Sequence, residues 1–410
     1  MKPRVHQILA TLGYGDAIGN EVLGICRTLR AAGYESEIIV ETADPRLEDL
    51  TVDYQEMVED VGPDDLLIHH FSIGSRASRT AFALPARMAL IYHNITPPEF
   101  LLGVHPQLVK QCYHGRRELT AYPGRVDLAL GDSEFNRQEL DALGFAPTGV
   151  LPVVPDFAHL DMPADPRVLD AYDDDWTNIL FVGRLIPNKR PDDVIRFFHA
   201  YKTLYNPRAR LILAGSYSGV EGYLAQLHTL IARLGVGDVQ IVGQVTNAEL
   251  TGLYDCADLF LCASEHEGFC VPLIESFYKR VPVLAYAATA VPSTMDGGGV
   301  LYDTKDPARV AALMQAMLSD HAMGDRVLAA QDAALDRLLA KDFGGTLLRF
   351  VDQVLSSPRK PLPPVAYDFW RQYKLADELA ALRHYRPSAF QALPVAPDET
   401  VVAELEHRRE

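Results

Sequence analysis

Residues 259–275 read Leu259-Phe260-Leu261-Cys262-Ala263-Ser264-Glu265-His266-Glu267-Gly268-Phe269-Cys270-Val271-Pro272-Leu273-Ile274-Glu275. Leu259–Cys262 is apolar at every position, the composition of a parallel strand covered on both faces. Pro272 suits the first turn of a helix, where the N–H that proline lacks has no partner anyway. Glu267 then falls in the loop and Glu275 early in the helix. Ligands of open α/β sheets gather at the carboxyl ends of strands. Here the amides around Leu273 and Ile274 favour an anion, and two carboxylates can hold hydroxyl groups. Glu275 alone is explained as an acid near a helix N-terminus, but Glu267-Gly268-Phe269 is not.

The same strand–helix alternation extends both ways. Asn178–Val182, Arg210–Ala214, Val239–Val242 and Val281–Ala285 read as strands. Asp192–Tyr205, Glu221–Leu234, Asn247–Cys256 and Val271–Arg280 read as helices. In the first half, Gln7–Thr11, Glu37–Glu41, Leu66–His70, Met88–Tyr92 and Leu128–Leu130 read as strands, with a helix over Asn20–Ala32. Near Leu151–Asp175 the pattern breaks, with Pro152, Pro155, Pro163 and Pro166 crowded before Asp173-Asp174-Asp175. That is linker composition. The expected organisation is α/β: two Rossmann-like βα domains facing each other across a cleft. The first spans 1–160, a linker 161–176, and the second 177–355. A proline-rich extension over 356–410, with Tyr367, Phe369, Trp370 and Tyr373, is expected to cross back to the first domain.

The chain has 410 residues, 48% hydrophobic and 23% charged, an ordinary globular composition. Lys+Arg 38 against Asp+Glu 55 gives 38 − 55 = −17, which argues against coating nucleic acid. Cys26, Cys112, Cys256, Cys262 and Cys270 are odd in number and form no C-x-x-C pair, so neither a disulfide framework nor a zinc site is expected. The N-terminal residues lack a signal-peptide core, and no apolar run is long enough to span a membrane. A cytoplasmic location follows as an expectation. Lys110, Arg116, Arg117 and Arg125, with Arg76, Arg79 and Arg87 upstream, concentrate positive charge. They read either as a solvated helix face or as a surface for anionic lipid at the inner face of the membrane.

Four further motifs bear on chemistry. Gly13-Tyr14-Gly15-Asp16-Ala17-Ile18-Gly19 lies between a strand and a helix. Gly13, Gly15 and Gly19 let backbone approach a ligand, or merely form a tight turn. Glu41, at the end of the next strand, is placed to bind a ribose. Gly183-Arg184-Leu185-Ile186-Pro187-Asn188-Lys189 puts Arg184 and Lys189 at a strand end, where two cations can clamp a diphosphate or lie on the surface. His93 follows another strand, and His69-His70 is a competing pair read as cleft lining rather than metal ligands. Asp173-Asp174-Asp175 resembles a metal-binding D-x-D, but its place in the linker favours a solvated acidic run.

The motifs G-R-L-x-x-x-K and E-G-F-x-x-P-x-x-E, with Val242-Gly243-Gln244-Val245 and Glu249-Leu250-x-x-Leu253-Tyr254, cover roughly Asn178–Met317. This stretch resembles the nucleotide-binding half of retaining glycosyltransferases with the GT-B fold, family 4. Leu130-Gly131-Asp132-Ser133-Glu134-Phe135 and the glycine loop resemble its first half more weakly. The resemblance implies Arg184 and Lys189 on the donor diphosphate and Glu275 on the ribose. It implies Glu267, with Gly268 and Phe269, at the donor sugar, and Gln244, Val245 and Leu250 beside the base. His93 is implied as a partner for the sugar or the transferred proton. The family usually has glycine where Cys270 stands, and Val291-Pro292-Ser293-Thr294 replaces its usual P-E. The implied activity is metal-independent hexose transfer, with retention, from a UDP- or GDP-sugar to a saccharide or lipid-linked acceptor in polysaccharide or glycolipid assembly. No cofactor and no metal are expected. The alternatives are a nicotinamide-dependent oxidoreductase built on the first glycine loop, which leaves the second half unexplained, and a non-catalytic nucleotide-sugar-binding protein.

Overall fold

The computed structural model describes residues 3–153 and 157–362. The first domain has seven strands: β1 (Val5–Leu12), β2 (Ile38–Ala43), β3 (Thr51–Asp53), β4 (Leu66–Phe71), β5 (Arg87–Tyr92), β6 (Leu128–Gly131) and β7 (Thr148–Val150). Its helices are α1 (Ala17–Ala31), α2 (Arg76–Ala83), α3 (Pro106–Leu119) and α4 (Glu134–Ala142). The second domain has β8 (Thr177–Val182), β9 (Ala209–Ala214), β10 (Val239–Gly243), β11 (Leu259–Cys262), β12 (Val283–Tyr286) and β13 (Val300–Tyr302). Its helices run from α5 (Pro166–Tyr172) through α6 (Pro191–Leu204), α7 (Glu221–Leu234), α8 (Asn247–Asp255), α9 (Val271–Tyr278), α10 (Val291–Met295) and α11 (Pro307–Ser319) to α12 (His321–Leu339). A final helix, α13 (Phe343–Ser356), ends the described structure.

All strand pairs are parallel. The orders are β3-β2-β1-β4-β5-β6-β7 and β10-β9-β8-β11-β12-β13. Strand order reverses between β1 and β4, and again between β8 and β11. Crevices of doubly wound sheets form at such switch points, at the carboxyl ends of the strands. The loops after β1, β5, β8 and β11 carry Gly13, His93, Lys189 and Glu267.

Two boundaries differ from expectation. Residues 161–176 are not a bare linker. Phe157 and Leu160 are buried in the second domain's core, and Val168 and Tyr172 of α5 pack against it. Prolines and aspartates also start helices: Asp165 caps α5 and Pro166 opens it. Chain crossing to the first domain begins in α13, ahead of the proline-rich segment, and the described part of that segment stays on the first domain, with Arg359 donating to the Pro85 carbonyl at 2.7 Å and Lys360 to the Val126 carbonyl at 2.8 Å. Leu347, Val351 and Val354 are buried with Val5, Ile25, Leu66 and Ile91. Arg87 donates to the carbonyls of Val354 and Ser357, at 3.0 and 2.9 Å, tying the end of α13 to β5. Tyr367, Phe369, Trp370 and Tyr373 lie outside the described residues. No helix among the described residues is long and apolar enough to cross a membrane.

Burial of α13 predicts that Leu347→Ala, at a site 1% exposed, costs about 2–5 kcal/mol of stability. Urea unfolding checks it, and a change below about 0.5 kcal/mol, as expected of a surface position, would show that α13 does not belong to that core.

Candidate active site in the cleft

On the second-domain wall, Gly183 leaves β8 at φ +150°, and a Cβ there would meet the Lys189 side chain at 3.2 Å. The turn brings Asn188 under the acidic loop. Asn188 Nδ2 donates to the His266 carbonyl at 3.2 Å, and Glu265 N donates to the Asn188 carbonyl at 2.8 Å. Lys189 Nζ then meets Glu267 Oε1 at 2.7 Å. Burial opposes the lysine charge, but Glu267 outweighs it and holds the pKa above its usual value. Lys305 braces the same loop, with Nζ bound to Asp193, Glu265 and the Ala263 carbonyl at 2.9, 2.8 and 2.9 Å. Thr289 Oγ1 accepts from Glu267 N at 2.9 Å. Cys270 holds φ +76° at the entry to α9. That is the left-handed region that favours glycine, the residue the family resemblance expects there.

On the first-domain wall, a buried chain of hydrogen bonds fixes proton positions. Gln7 Nε2 donates to the Val22 carbonyl at 3.1 Å, so Gln7 Oε1 is the acceptor toward His70 Nε2 at 2.9 Å. His70 therefore carries its proton on Nε2, and its Nδ1 lone pair accepts from His93 Nε2 at 2.9 Å. His93 Nδ1 meets Asp132 Oδ2 at 2.9 Å. A carboxyl group is ordinarily far more acidic than an imidazolium, so His93 is the imidazolium and Asp132 the carboxylate. Burial works against the charge on His93, but Asp132, by its charge and its hydrogen bond, pushes the pKa up to about 9. Burial takes His70 well below the usual range, and His93 adds to that.

Glu21, on α1, is the third member. Its Oε2 lies 3.8 Å from His93 Nδ1. Burial and Asp132 push its pKa up to about 8, against the opposing pull of His93. Ligand-type atoms of Glu21, His93 and Asp132 all lie within 4.8 Å of one another.

The walls meet at Gly268. A Cβ on Gly268 would sit 2.9 Å from Asn94 Cβ and 3.4 Å from the His93 carbonyl. Asn94 Nδ2 bridges to Asn136 Oδ1 at 2.8 Å and to the Glu267 carbonyl at 3.3 Å. Beside this contact is a cavity of about 210 Å³ lined by Glu21, His93, Asp132, Lys189, Glu267 and the Gly268–Pro272 segment, among others. Glu267, Lys189, Gly268, Phe269 and His93 are thus brought together.

Other expected residues lie elsewhere. Arg184 is exposed and outside the cavity lining. Glu275 is buried on α9, where Oε1 pairs with His159 Nε2 and Oε2 with the Tyr254 hydroxyl, both at 2.9 Å. Leu250 precedes Tyr254 by one turn of α8, and Leu250 and Val245 pack against that core, while Gln244 is exposed. The side chains of Leu273 and Ile274 are buried in it, so only their backbone faces the anion question.

Four sequence expectations change. His93 has both ring nitrogens committed within the protein, so it is a fixed cation rather than a base. His69 and His70 do not line the cavity, and they do not act as a pair, because neighbours on a strand point to opposite faces. His69 packs against Phe71 and Tyr122, whereas His70 joins the relay to His93. Gly13 and Gly19 are required by the turn itself: a Cβ at Gly19 would fall 2.2 Å from the Gly13 carbonyl oxygen, and one at Gly13 2.0 Å from Asp16 Oδ2. Gly15 has φ +73°. None of the three lines the cavity, although Ala17 and Ile18 do. Glu41 accepts from the Arg76 and Ala77 amides at 2.9 and 3.3 Å, capping α2 instead of awaiting a ribose.

The basic stretch is also largely spent inside. Arg125 is buried on the carbonyls of Phe82, Leu84 and Ala86. Arg79 pairs with Glu118, Arg116 with Glu139, and Arg87 holds α13. Asp174 and Asp175 pair with Arg210 and Arg208.

Residues 163–331 match the family model described as Glycosyl transferases group 1. That segment is similar to a glycosyl transferases group 1 domain. A D-inositol 3-phosphate glycosyltransferase of Thermobispora bispora is 33% identical over 203 residues, 47% of this chain and 44% of that protein. The O-antigen chain mannosyltransferase B of Escherichia coli is 26% identical over 251 residues, 58% of this chain and 64% of that protein. The match thus spans about half of these relatives' length. Among solved structures, Anabaena Alr3699/HepE in complex with UDP-glucose superposes with a TM-score of 0.65 at 16% identity, covering 87% of this chain and 100% of that one. This is the GT-B fold, with two parallel-sheet α/β domains.

The segment that matches the group 1 model contributes Lys189, Glu267 and Glu275, while the opposite wall lies outside the match. Glu21 and Lys305 are the contributors that sequence reading passed over. Glu21 had one visible signal: it is an acid on the face of α1 that also buries Val22 and Ile25. Close approach at Gly268 makes a prediction. Gly268→Ala overpacks the contact and lowers stability by about 1–3 kcal/mol, whereas Gly222→Ala, in helix α7 with nothing within 4 Å, raises it by about 0.5–1 kcal/mol. Urea unfolding of both decides it, and equal behaviour would contradict the contact.

Proposed function

We propose that this protein is a retaining, metal-independent glycosyltransferase. It moves a hexose from a nucleoside-diphosphate sugar, UDP- or GDP-linked, to a hydroxyl of a saccharide or lipid-linked acceptor in polysaccharide or glycolipid assembly. The observation that carries this reading is the Lys189–Glu267 pair on the cleft wall at the entry to α9. A lysine and a glutamate are held there at a strand end, 2.7 Å apart. The UDP-glucose in the complex of the Anabaena structure supports the donor class.

Departure of the nucleoside diphosphate leaves oxocarbenium-like character on the sugar and extra negative charge on phosphate. Lys189 exchanges Glu267 for the diphosphate, which frees Glu267 to accept from sugar hydroxyls. Arg184, whose guanidinium has no partner among the described residues, reaches the same phosphates from the rim. Groups poised where charge develops usually supply the largest part of catalysis. A charge-assisted hydrogen bond is worth about 1.5–3 kcal/mol, so losing one slows transfer by about 10–100-fold. Glu275 has two lone-pair sites left beyond His159 and Tyr254, because a carboxylate offers about four; these take the ribose hydroxyls, with Gln244, Val245 and Leu250 beside the base. Retention follows from same-face attack, with the departing phosphate accepting the acceptor's proton. Closure of the walls at Gly268 excludes water and limits donor hydrolysis.

Thermal-shift screening against UDP-, GDP-, ADP- and dTDP-sugars identifies the donor, with one base expected to respond. Lys189→Ala and Glu275→Ala are then expected to abolish calorimetric binding of that donor while leaving the circular dichroism spectrum unchanged; wild-type affinity in both sinks the assignment. Transfer is expected to persist in excess EDTA. Complete loss, restored by magnesium or manganese, would contradict the metal-independent mechanism.

A further inference from the structure

The wall facing Lys189 and Glu267 holds one cation and two carboxyl groups, and they are not equivalent. His93 donates to Asp132 at 2.9 Å but lies 3.8 Å from Glu21. Its other N–H is used by His70. The Glu21 side chain is 5% exposed, and its Oε1 is buried without a hydrogen-bond partner among the described residues. Yet Glu21 lines the cavity. An unpaired carboxylate in such a place is costly, whereas a protonated one is tolerated. If both acids ionise, the cluster is −1 and buried; with one protonated it is neutral. The proton belongs on the acid that receives no hydrogen bond, Glu21, since Asp132 already has one from His93.

Spacing on α1 aims the group. Ala17, Ile18 and Glu21 fall on one helix face and all line the cavity. The titratable groups around Glu21 are His93 at the end of β5, Asp132 at the end of β6, and Lys189, Glu267 and Cys270 from the second domain. Asp16, the cap of α1, acts on His93 from the same side.

We propose that Glu21 is the first-domain contact to the transferred sugar, a neutral carboxyl group that donates a hydrogen bond into the cleft opposite Glu267. This rests on reading the cleft as the donor site. A neutral acid suits a pocket beside an anionic diphosphate, because it adds a donor without adding negative charge. His93, locked as a cation behind it, donates to Asp132 Oδ2 and holds Asp132 as the carboxylate, whose Oδ1 is an acceptor without a partner among the described residues; Glu21 is the acid left to carry a proton and donate. The burial and neighbouring charge that push its pKa up to about 8 agree with a proton retained at pH 7.

Glu21→Gln keeps a donor and loses the titration; Glu21→Ala loses both. The sign follows from linkage. A carboxyl whose folded pKa lies above its unfolded value of about 4.3 costs stability progressively as pH rises toward about 8. The melting temperature of Glu21→Gln should therefore pull ahead of wild type between pH 5.5 and pH 8.5. A constant offset would show that Glu21 is ionised throughout and overturn the neutral carboxyl. Calorimetry with UDP-glucose, GDP-mannose, UDP and GDP tests the contact. Glu21→Ala should lose about tenfold in affinity for the bound nucleotide sugar but not for its nucleoside diphosphate, as one hydrogen bond predicts. Glu21→Gln should stay within about threefold, and wild type should weaken between pH 7 and pH 9 while Glu21→Gln does not. Equal affinities of wild type and Glu21→Ala for the nucleotide sugar sink the sugar contact alone. A wild-type protein that binds none of the four ligands sinks the reading of the cleft, and the contact with it, before any variant is made.

Discussion

A buried ion pair between Lys189 and Glu267, 2.7 Å apart, is the interaction on which the cleft depends. A lysine removed from water keeps its charge only with a partner close by. Glu267 is that partner, and it reaches Lys189 because two loops from adjacent strands, β8 and β11, are laced together through Asn188, Glu265 and His266. Lys305 adds a second cation beneath the acidic loop and ties it to Asp193 at the start of α6. The site is therefore assembled by the sheet edge, not by any one loop, and a change in either strand end is felt by both charges.

Across the cleft the same logic runs with the signs exchanged. His93 is a cation held between acids, and its protonation is dictated from behind by a backbone carbonyl at Val22, through Gln7 and His70. Such a chain leaves no freedom for the ring to act as a base. Gly268, pressed against Asn94, sets how near the two walls come. Glu21 Oε1, Asp132 Oδ1 and Asn94 Oδ1 lack partners among the described residues, and of these Glu21 sits on the first helix of the chain, outside the segment that matches the group 1 model.

Much of this was legible in the sequence. Apolar runs such as Leu259–Cys262, followed by Pro272, specify a buried parallel strand and a helix start, and E-G-F with the second glutamate carries the resemblance to the group 1 family. Short edge strands were not legible: β3, β7 and β13 span three residues each, too few for a period to show. The crossing of α13 was missed because its apolar face suits either domain, and only packing against Val5 and Ile91 decides. Arginines at 79, 87, 116 and 125 resemble a basic patch by count, yet three of them satisfy backbone carbonyls. Charge composition carries no information on whether a guanidinium points outward. The His93–Glu21–Asp132 cluster joins residues from three separate strand–helix units, a coincidence that spacing cannot reveal.

Whether the cleft grips a nucleotide sugar through its second-domain wall is tested most directly by hydrogen–deuterium exchange, with and without the nucleotide sugar that raises the melting temperature most. Slower exchange is expected in both the Gly183–Arg190 turn and the Ser264–Glu275 segment, with little change in the loop from Gly13 to Gly19. Protection confined to that first glycine loop, with the Lys189 and Glu267 segments exchanging as before, would contradict the account.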